Sequence, residues 1–332
     1  MIVSRRARSA AVALALIAAP AAAQQTHLLV VSGLGGQPEY SDAFYEWSVT
    51  MVESARNRLG LAQGQVTYLA EDPTRDPAKI AGKSDREGIT AAIRRIAQRS
   101  EKGDDVFILL IGHGTSTGSE SKFSMPGADM GPKEFGPLLA ELAGRRVAFV
   151  NASTASGDFL PALSGPGRVI VTATKTGFER NAGVFPRFFV RAYAQDGADS
   201  DKDGRVSVLE AFEYARVEVA RSYEEGNLIQ TEHAMIDDNG DNKGSATPDP
   251  RAGDGAVARS MYIAPAISAA RAAADPRLAT LYREKRAIED RIEALRRNKE
   301  VMAAAQYEAE LEKVLVELAL KNQEIKAIEG KK

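Results

Sequence analysis

The chain contains no cysteine in its 332 residues. That absence excludes a disulfide framework, a thiolate metal site and a thiol nucleophile together. A strong charge of one sign is also missing. Forty-three basic side chains stand against 45 acidic ones with no basic stripe, which argues against nucleic acid as a partner. Long apolar runs are lacking too: Ala10 to Ala19 falls well short of the ~20 residues a membrane helix needs, so no membrane span is expected.

That short run has another reading. Arg5, Arg6 and Arg8 precede it, and Ala21-Ala22-Ala23 follow it before Gln24, the pattern of a cleaved export signal over residues 1–23. The protein is therefore expected outside the cytoplasm, periplasmic or secreted. Stability without disulfides in such a place must come from a packed core, to which a bound metal can add.

After the signal, apolar runs alternate with helix-period segments. Strands are expected at His27 to Ser32, Gln65 to Ala70, 105–112, 146–152 and 168–174. Helices are expected from Ser41 to Leu59, from Arg86 to Gln98 and over 132–143. This alternation predicts an α/β domain over residues 24–265, with a mostly parallel sheet covered by helices on both faces. The turn Gly33-Leu34-Gly35-Gly36 after the first strand lacks the spacing of a dinucleotide fingerprint and reads as a rim where backbone approaches a ligand.

Two strand ends draw attention. Phe107 to Ile111 runs into Gly112-His113-Gly114, and Arg146 to Asn151 runs into Ala152-Ser153-Thr154-Ala155-Ser156-Gly157. In a parallel sheet the carboxyl ends of adjacent strands face one crevice, so His113 and the small polar turn should meet there. The pairing resembles the caspase-like protease clan, in particular its legumain-like branch. There an apolar strand ends in His-Gly and a later one in Ala-Cys-x-Ser-Gly, with the histidine as acid–base and the cysteine as nucleophile. His113-Gly114 and Ser156-Gly157 match, while Thr154 stands at the cysteine place and Ser153 at the alanine.

The resemblance covers residues 25 to about 265 and implies a caspase-like fold in which catalysis is degenerate. A threonine hydroxyl is a poor nucleophile unless a base removes its proton during attack. Two outcomes follow: a pseudoenzyme that binds peptide or protein segments in the old substrate groove, or a hydrolase using Thr154, Ser153 or Ser156 with His113, its oxyanion held by backbone N–H groups near Gly114 and Thr154. The resemblance also implies that the loop from Lys175 to Gly183 walls the substrate pocket. Glu179 is its candidate for pairing a basic side chain.

Asp199-Ser200-Asp201-Lys202-Asp203-Gly204-Arg205-Val206-Ser207-Val208-Leu209-Glu210 fits the twelve-residue EF-hand loop. Asp199, Asp201, Asp203 and Glu210 supply carboxylates, Arg205 its carbonyl, and Ser207 a direct or water-mediated contact. Helices are expected on either side, Phe185 to Ala194 and Leu209 to Tyr223. A single loop outside the cell reads as a Ca2+ clamp rather than a switch. The acidic run Asp237 to Asp241 does not repeat the pattern and reads as a looser cation site or a surface turn; Ser260 to Ala264 reads as a last strand.

From Asp275-Pro276 onward the composition shifts to Ala, Glu, Lys, Arg and Leu. Leu281, Ile288, Ile292 and Leu295 form one apolar seam; Tyr307, Leu311, Val314, Leu318, Ile325 and Ile328 form a second. The slip in phase between Met302 and Tyr307 predicts a hairpin over 276–330, with helices at about 276–297 and 303–329. Such a hairpin could pack on the domain, pair with another copy as a coiled coil, or dock a partner and serve as the functional end of a calcium-stabilised scaffold.

Overall fold

The computed structural model describes residues 24–118, 120–201, 205–263, 276–297 and 302–329. The expected export signal, and Asp203 of the expected calcium loop, lie outside the described residues.

Seven strands form one sheet: β1 (Thr26–Ser32), β2 (Val66–Ala70), β3 (Gly82–Lys83), β4 (Asp105–Ile111), β7 (Arg146–Asn151), β8 (Arg168–Thr172) and β9 (Met235–Asp237). Their order is β3-β2-β1-β4-β7-β8-β9. All neighbours are parallel except β9, which runs antiparallel to β8 at the edge. A two-stranded hairpin, β5 (Gly114–Ser116) with β6 (Ser121–Phe123), rises from the end of β4.

Strand residues alternate between two cores, as the period-two pleat requires. Leu28, Val30, Phe107, Leu109, Ala148 and Val150 face helices α1 (Pro38–Glu53), α5 (Phe185–Ala194) and α6 (Val208–Glu225). Leu29, Val31, Val106, Ile108, Val147 and Phe149 face α2 (Arg86–Arg99), α3 (Pro132–Ala140) and α4 (Phe159–Leu163). Burial on both faces explains why β1, β4 and β7 are continuous apolar runs rather than alternating ones. The α/β sheet with helices on both faces is thus present, and so is the hairpin.

The hairpin consists of α7 (Pro276–Arg297) and α8 (Ala304–Glu329). Ile288, Ile292 and Val314 are buried in its seam, with Leu295, Leu311 and Leu318 beside them. Ion pairs Arg291–Glu317 at 2.6 Å and Lys321–Glu284 at 2.8 Å join the two helices along the seam.

Several local expectations differ. α1 begins at Pro38, not Ser41, because a proline in the first turn forfeits no hydrogen bond and its φ is preset for helix. The helix then widens into a π turn over Ser54–Arg58. The expected strand from Ser260 is instead a 3₁₀ turn, Ala258–Ser260, followed by a single bridge between Ser207 and Tyr262.

That 3₁₀ turn is held by buried acids. The Asp238 carboxylate accepts the N–H groups of Gly255 and Ala258, each at 2.8 Å, and Asp254 accepts the Asp238 N–H at 3.1 Å. Burial, with repulsion from Asp238 and Asp237 behind it, pushes the Asp254 carboxyl up to about 7. A raised folded-state pKa means that the protonated acid is the stabilising form; its contribution is complete below the unfolded value and is lost as pH rises through about 7. Thermal unfolding followed from pH 5.5 to 8 is expected to show this loss. Asp254→Asn, whose side-chain carbonyl can still accept the Asp238 bond, should flatten that part of the profile and be more stable than the parent at pH 8.

Candidate functional site

β4 and β7 are direct neighbours, and Leu110 lies opposite Asn151. Their carboxyl-terminal turns therefore emerge side by side, and His113, Ser153 and Thr154 line one crevice with Tyr40, Phe44, Trp47, Thr174 and Glu232. The crevice offers about 30 Å³ of open space, about one water molecule's share, and opens to solvent.

The His113 ring is wedged between aromatic edges, 4.6 Å from the Tyr40 centroid and 5.0 Å from that of Phe44. Burial lowers its pKa below the ordinary histidine value, partly offset by a hydrogen bond to the Gly35 backbone. A neutral imidazole at pH 7 is the form that can accept a proton. Loop 33–36 is pinned against this site: Gly33 N–H donates to Ile111 at 2.8 Å and Leu34 N–H to Ser124 at 3.0 Å.

Thr154 is buried, and its hydroxyl is engaged with Gly114. It accepts the Gly114 N–H at 3.0 Å and lies 3.3 Å from the Gly114 carbonyl, to which it donates. Among the described residues no hydrogen bond joins Thr154 to His113. The Gly114 N–H, one of the expected oxyanion donors, is spent on the same hydroxyl. The neighbouring hydroxyls are also occupied. Ser153 donates to Asn151 Oδ1 at 2.6 Å, and Ser156 shares a 3.2 Å bond with Thr174. Ala155 between them holds φ at +50°, the left-handed region that costs a non-glycine residue about 1–2 kcal/mol. Its N–H is tied at 2.8 Å to the Glu179 carbonyl.

Glu179 lies in the loop after β8, but its carboxylate points to protein partners. It accepts the backbone N–H groups of Lys175 and His233, both at 3.0 Å, and meets His233 Nδ1 at 2.8 Å. It thereby fastens the loop after β8 to the segment before β9. The acid that lines the crevice is Glu232. It accepts Val184 N–H at 2.6 Å and Phe185 N–H at 3.1 Å, capping α5, and burial raises its pKa. A carboxylate there is favoured by the helix amino terminus. Nothing local in Gln230-Thr231-Glu232-His233 marks this role, and Tyr40, which clasps the histidine with Phe44, lies before the expected helix start at Ser41.

The EF-hand-like loop joins α5 to α6. Ligand oxygens of Asp199, Asp201 and Glu210 lie within 4.8 Å of one another. Glu210 turns back into the loop: one oxygen accepts Ser200 N–H at 2.9 Å and Ser200 Oγ–H at 3.0 Å, and the other accepts Ser207 N–H and Oγ–H, both at 2.9 Å. Ser207 caps α6 in return by accepting the Glu210 N–H at 3.2 Å. The Arg205 guanidinium stacks 3.8 Å from the Tyr262 ring. The Tyr193 hydroxyl, buried under Glu210, has no hydrogen-bond partner among the described residues; burial and the glutamate charge push its pKa above the usual range. A set of close carboxylates beside an orphaned hydroxyl fits a hard cation such as Ca2+, which takes oxygen ligands and would relieve the repulsion.

No protein-family profile and no curated protein matches the chain in sequence. Two crystal structures are similar in chain path. GSU0716 from Geobacter sulfurreducens is 15% identical, with 68% of this chain and 96% of that one covered and a TM-score of 0.42. Caspase-1 from Spodoptera frugiperda is 13% identical, with 65% and 87% covered and a TM-score of 0.44.

Gly114 has no room for a side chain: a Cβ would stand 2.1 Å from the Thr154 carbonyl oxygen. Gly114→Ala is expected to destabilise the protein by about 2–4 kcal/mol in denaturant titration, because the clash is with backbone that cannot rotate away. Thr154→Ser, which keeps the hydroxyl, should cost under about 1 kcal/mol.

Proposed function

We propose that this protein is an exported, legumain-like member of the caspase-like clan whose catalytic constellation has become a binding groove for peptide or protein segments, with one Ca2+ bound at the 199–210 loop. The observation that carries the reading is the Thr154 hydroxyl, bonded at 3.0 Å to the Gly114 N–H that catalysis would need elsewhere. A threonine so placed has neither the acidity of a thiol nor a base on its proton. The crevice keeps what binding requires: an aromatic wall from Tyr40, Phe44 and Trp47, polar groups at its floor, and a solvent opening.

One observation favours the rival reading, an active hydrolase. His113 lines the same crevice as Thr154, and burial favours its neutral form, the one a general base requires. Cleavage of a diverse peptide library by the purified protein with calcium present, beside His113→Ala and Thr154→Ala, separates the two. No turnover is expected from any of them, whereas turnover lost in both variants would establish a hydroxyl peptidase. Trp47 is the chain's one tryptophan and lines the crevice, so peptide occupancy should shift its emission. Peptides that leave that emission unchanged at millimolar concentration would count against the groove.

In the calcium loop Asp199, Asp201, Asp203 and Glu210 would hold the ion through carboxylates, with Arg205 through its carbonyl and Ser207 directly or through water. The ion's chemistry here is structural: it neutralises repelling acids between two helices. Calcium at 100 times its dissociation constant should stabilise the fold by about 2.7 kcal/mol. Glu210→Gln is expected to weaken calcium binding at least about tenfold in calorimetry; equal affinity in parent and variant would remove the loop from the proposal.

A further inference from the structure

Glu232 is a buried acid without a countercharge. It is 2% exposed, among the described residues no lysine or arginine pairs with it, and the carboxylate that bears on it, Glu179, has its own sign. A charge buried this deeply is costly unless it is paired, and the amino terminus of α5 supplies only a partial positive charge. Its hydrogen bonds are also incomplete. Each carboxylate oxygen has about two acceptor sites. Oε1 uses both, on the Val184 N–H at 2.6 Å and the Tyr223 hydroxyl at 3.4 Å, whereas Oε2 uses one, on the Phe185 N–H at 3.1 Å. Gly183 borders that second oxygen so closely that a Cβ would collide with it. Both residues line the crevice, so a side chain at 183 would cover the oxygen that has an acceptor site left.

The rest of the wall selects what can pair with it. Tyr40, Phe44 and Trp47 bring aromatic rings, and burial favours the neutral form of His113, the other ionisable group there. Aromatic rings attract an organic cation through their negative faces. Size narrows the choice further. The open space of about 30 Å³ is one water molecule's share, and an ammonium group is about as small as water. A guanidinium is a planar fork of several heavy atoms and exceeds it. Lysine carries its compact charge on an apolar stem, which can lie along an aromatic wall while the head reaches inward.

We propose that the crevice recognises a primary ammonium group, delivered by a lysine side chain of the bound segment and paired with the Glu232 carboxylate. The assignment rests on the reading of the crevice as a peptide groove and names the residue that the groove selects.

Titration of the full chain, followed by Trp47 emission, tests it with alanine peptides blocked at both ends that carry one central lysine, norleucine or arginine. Norleucine keeps the lysine stem without the charge, and arginine keeps the charge in a larger head. The lysine peptide is expected to bind at least about tenfold tighter than either. Glu232→Gln, whose carbonyl can still accept an α5 N–H, should reduce the lysine peptide to the affinity of the norleucine peptide and leave the latter unchanged. The comparison of lysine with norleucine needs only the parent protein, so it stands whether or not the variant folds. Equal affinity for those two peptides, arginine bound as tightly as lysine, or the same lysine preference in Glu232→Gln would each overturn the proposal and leave the groove in place. A norleucine peptide with a free amino terminus that matched the blocked lysine peptide would overturn the assignment to a side chain. No shift with any peptide would remove the groove itself, and this proposal with it.

Discussion

Two hydrogen bonds of 3.0 and 3.3 Å between the Thr154 hydroxyl and the Gly114 backbone hold together the turns that end β4 and β7. Everything around the crevice is arranged about that clasp. Gly114 must be glycine for the approach to exist. Ala155 is driven into the left-handed region beyond it, and its N–H is anchored by the loop carrying Glu179. Glu179 in turn holds His233, and its neighbour Glu232 caps α5. One buried hydroxyl thus connects the central strands to the edge of the sheet through consecutive backbone and carboxylate bonds.

The same clasp sets the energetics of any chemistry. To face His113, the Thr154 hydroxyl would have to leave Gly114, and a buried N–H without a partner costs about 1–3 kcal/mol. On the rate scale that is one to two orders of magnitude before the weaker nucleophilicity of a hydroxyl is counted, since ~1.4 kcal/mol is tenfold. The lowered pKa of His113 works the other way, because a neutral imidazole is available near pH 7. Between these effects the hydrogen-bond loss and the missing thiolate dominate. Binding in the crevice requires neither to be overcome.

The sheet was legible because strands buried on both faces must be apolar throughout; His113 and Thr154 could be placed from the ends of those runs alone. What stayed hidden depends on partners distant in sequence. β9 is three residues long at an edge, where one face and one ladder suffice, so Met235–Asp237 carries too little pattern to be seen. Glu179 read as a substrate-facing acid because composition cannot reveal that His233, 54 positions away, takes its carboxylate. The acidic triad Asp199, Asp201 and Glu210 follows from local spacing instead, since Glu210 sits in the first turn of α6 and turns back onto Ser200.

The 199–210 loop also bears on the segment 261–262. Val208 N–H donates at 2.9 Å to the Met261 carbonyl, and Arg205 stacks on Tyr262, so the start of α6 grips the strand-like segment 261–262. The segment is held from the other side by Arg146, which bonds Ser260 at 2.9 Å while paired with Asp105 at the start of β4. A cation that neutralised the loop acids would stiffen the first grip and leave the second untouched. Removing it should therefore loosen residues 261–262 before the sheet, because the Arg146–Asp105 pair is anchored in strands that the loop does not touch. With a cation bound there, segment 261–262 would be more sensitive to its removal than the crevice, which is built on β4 and β7.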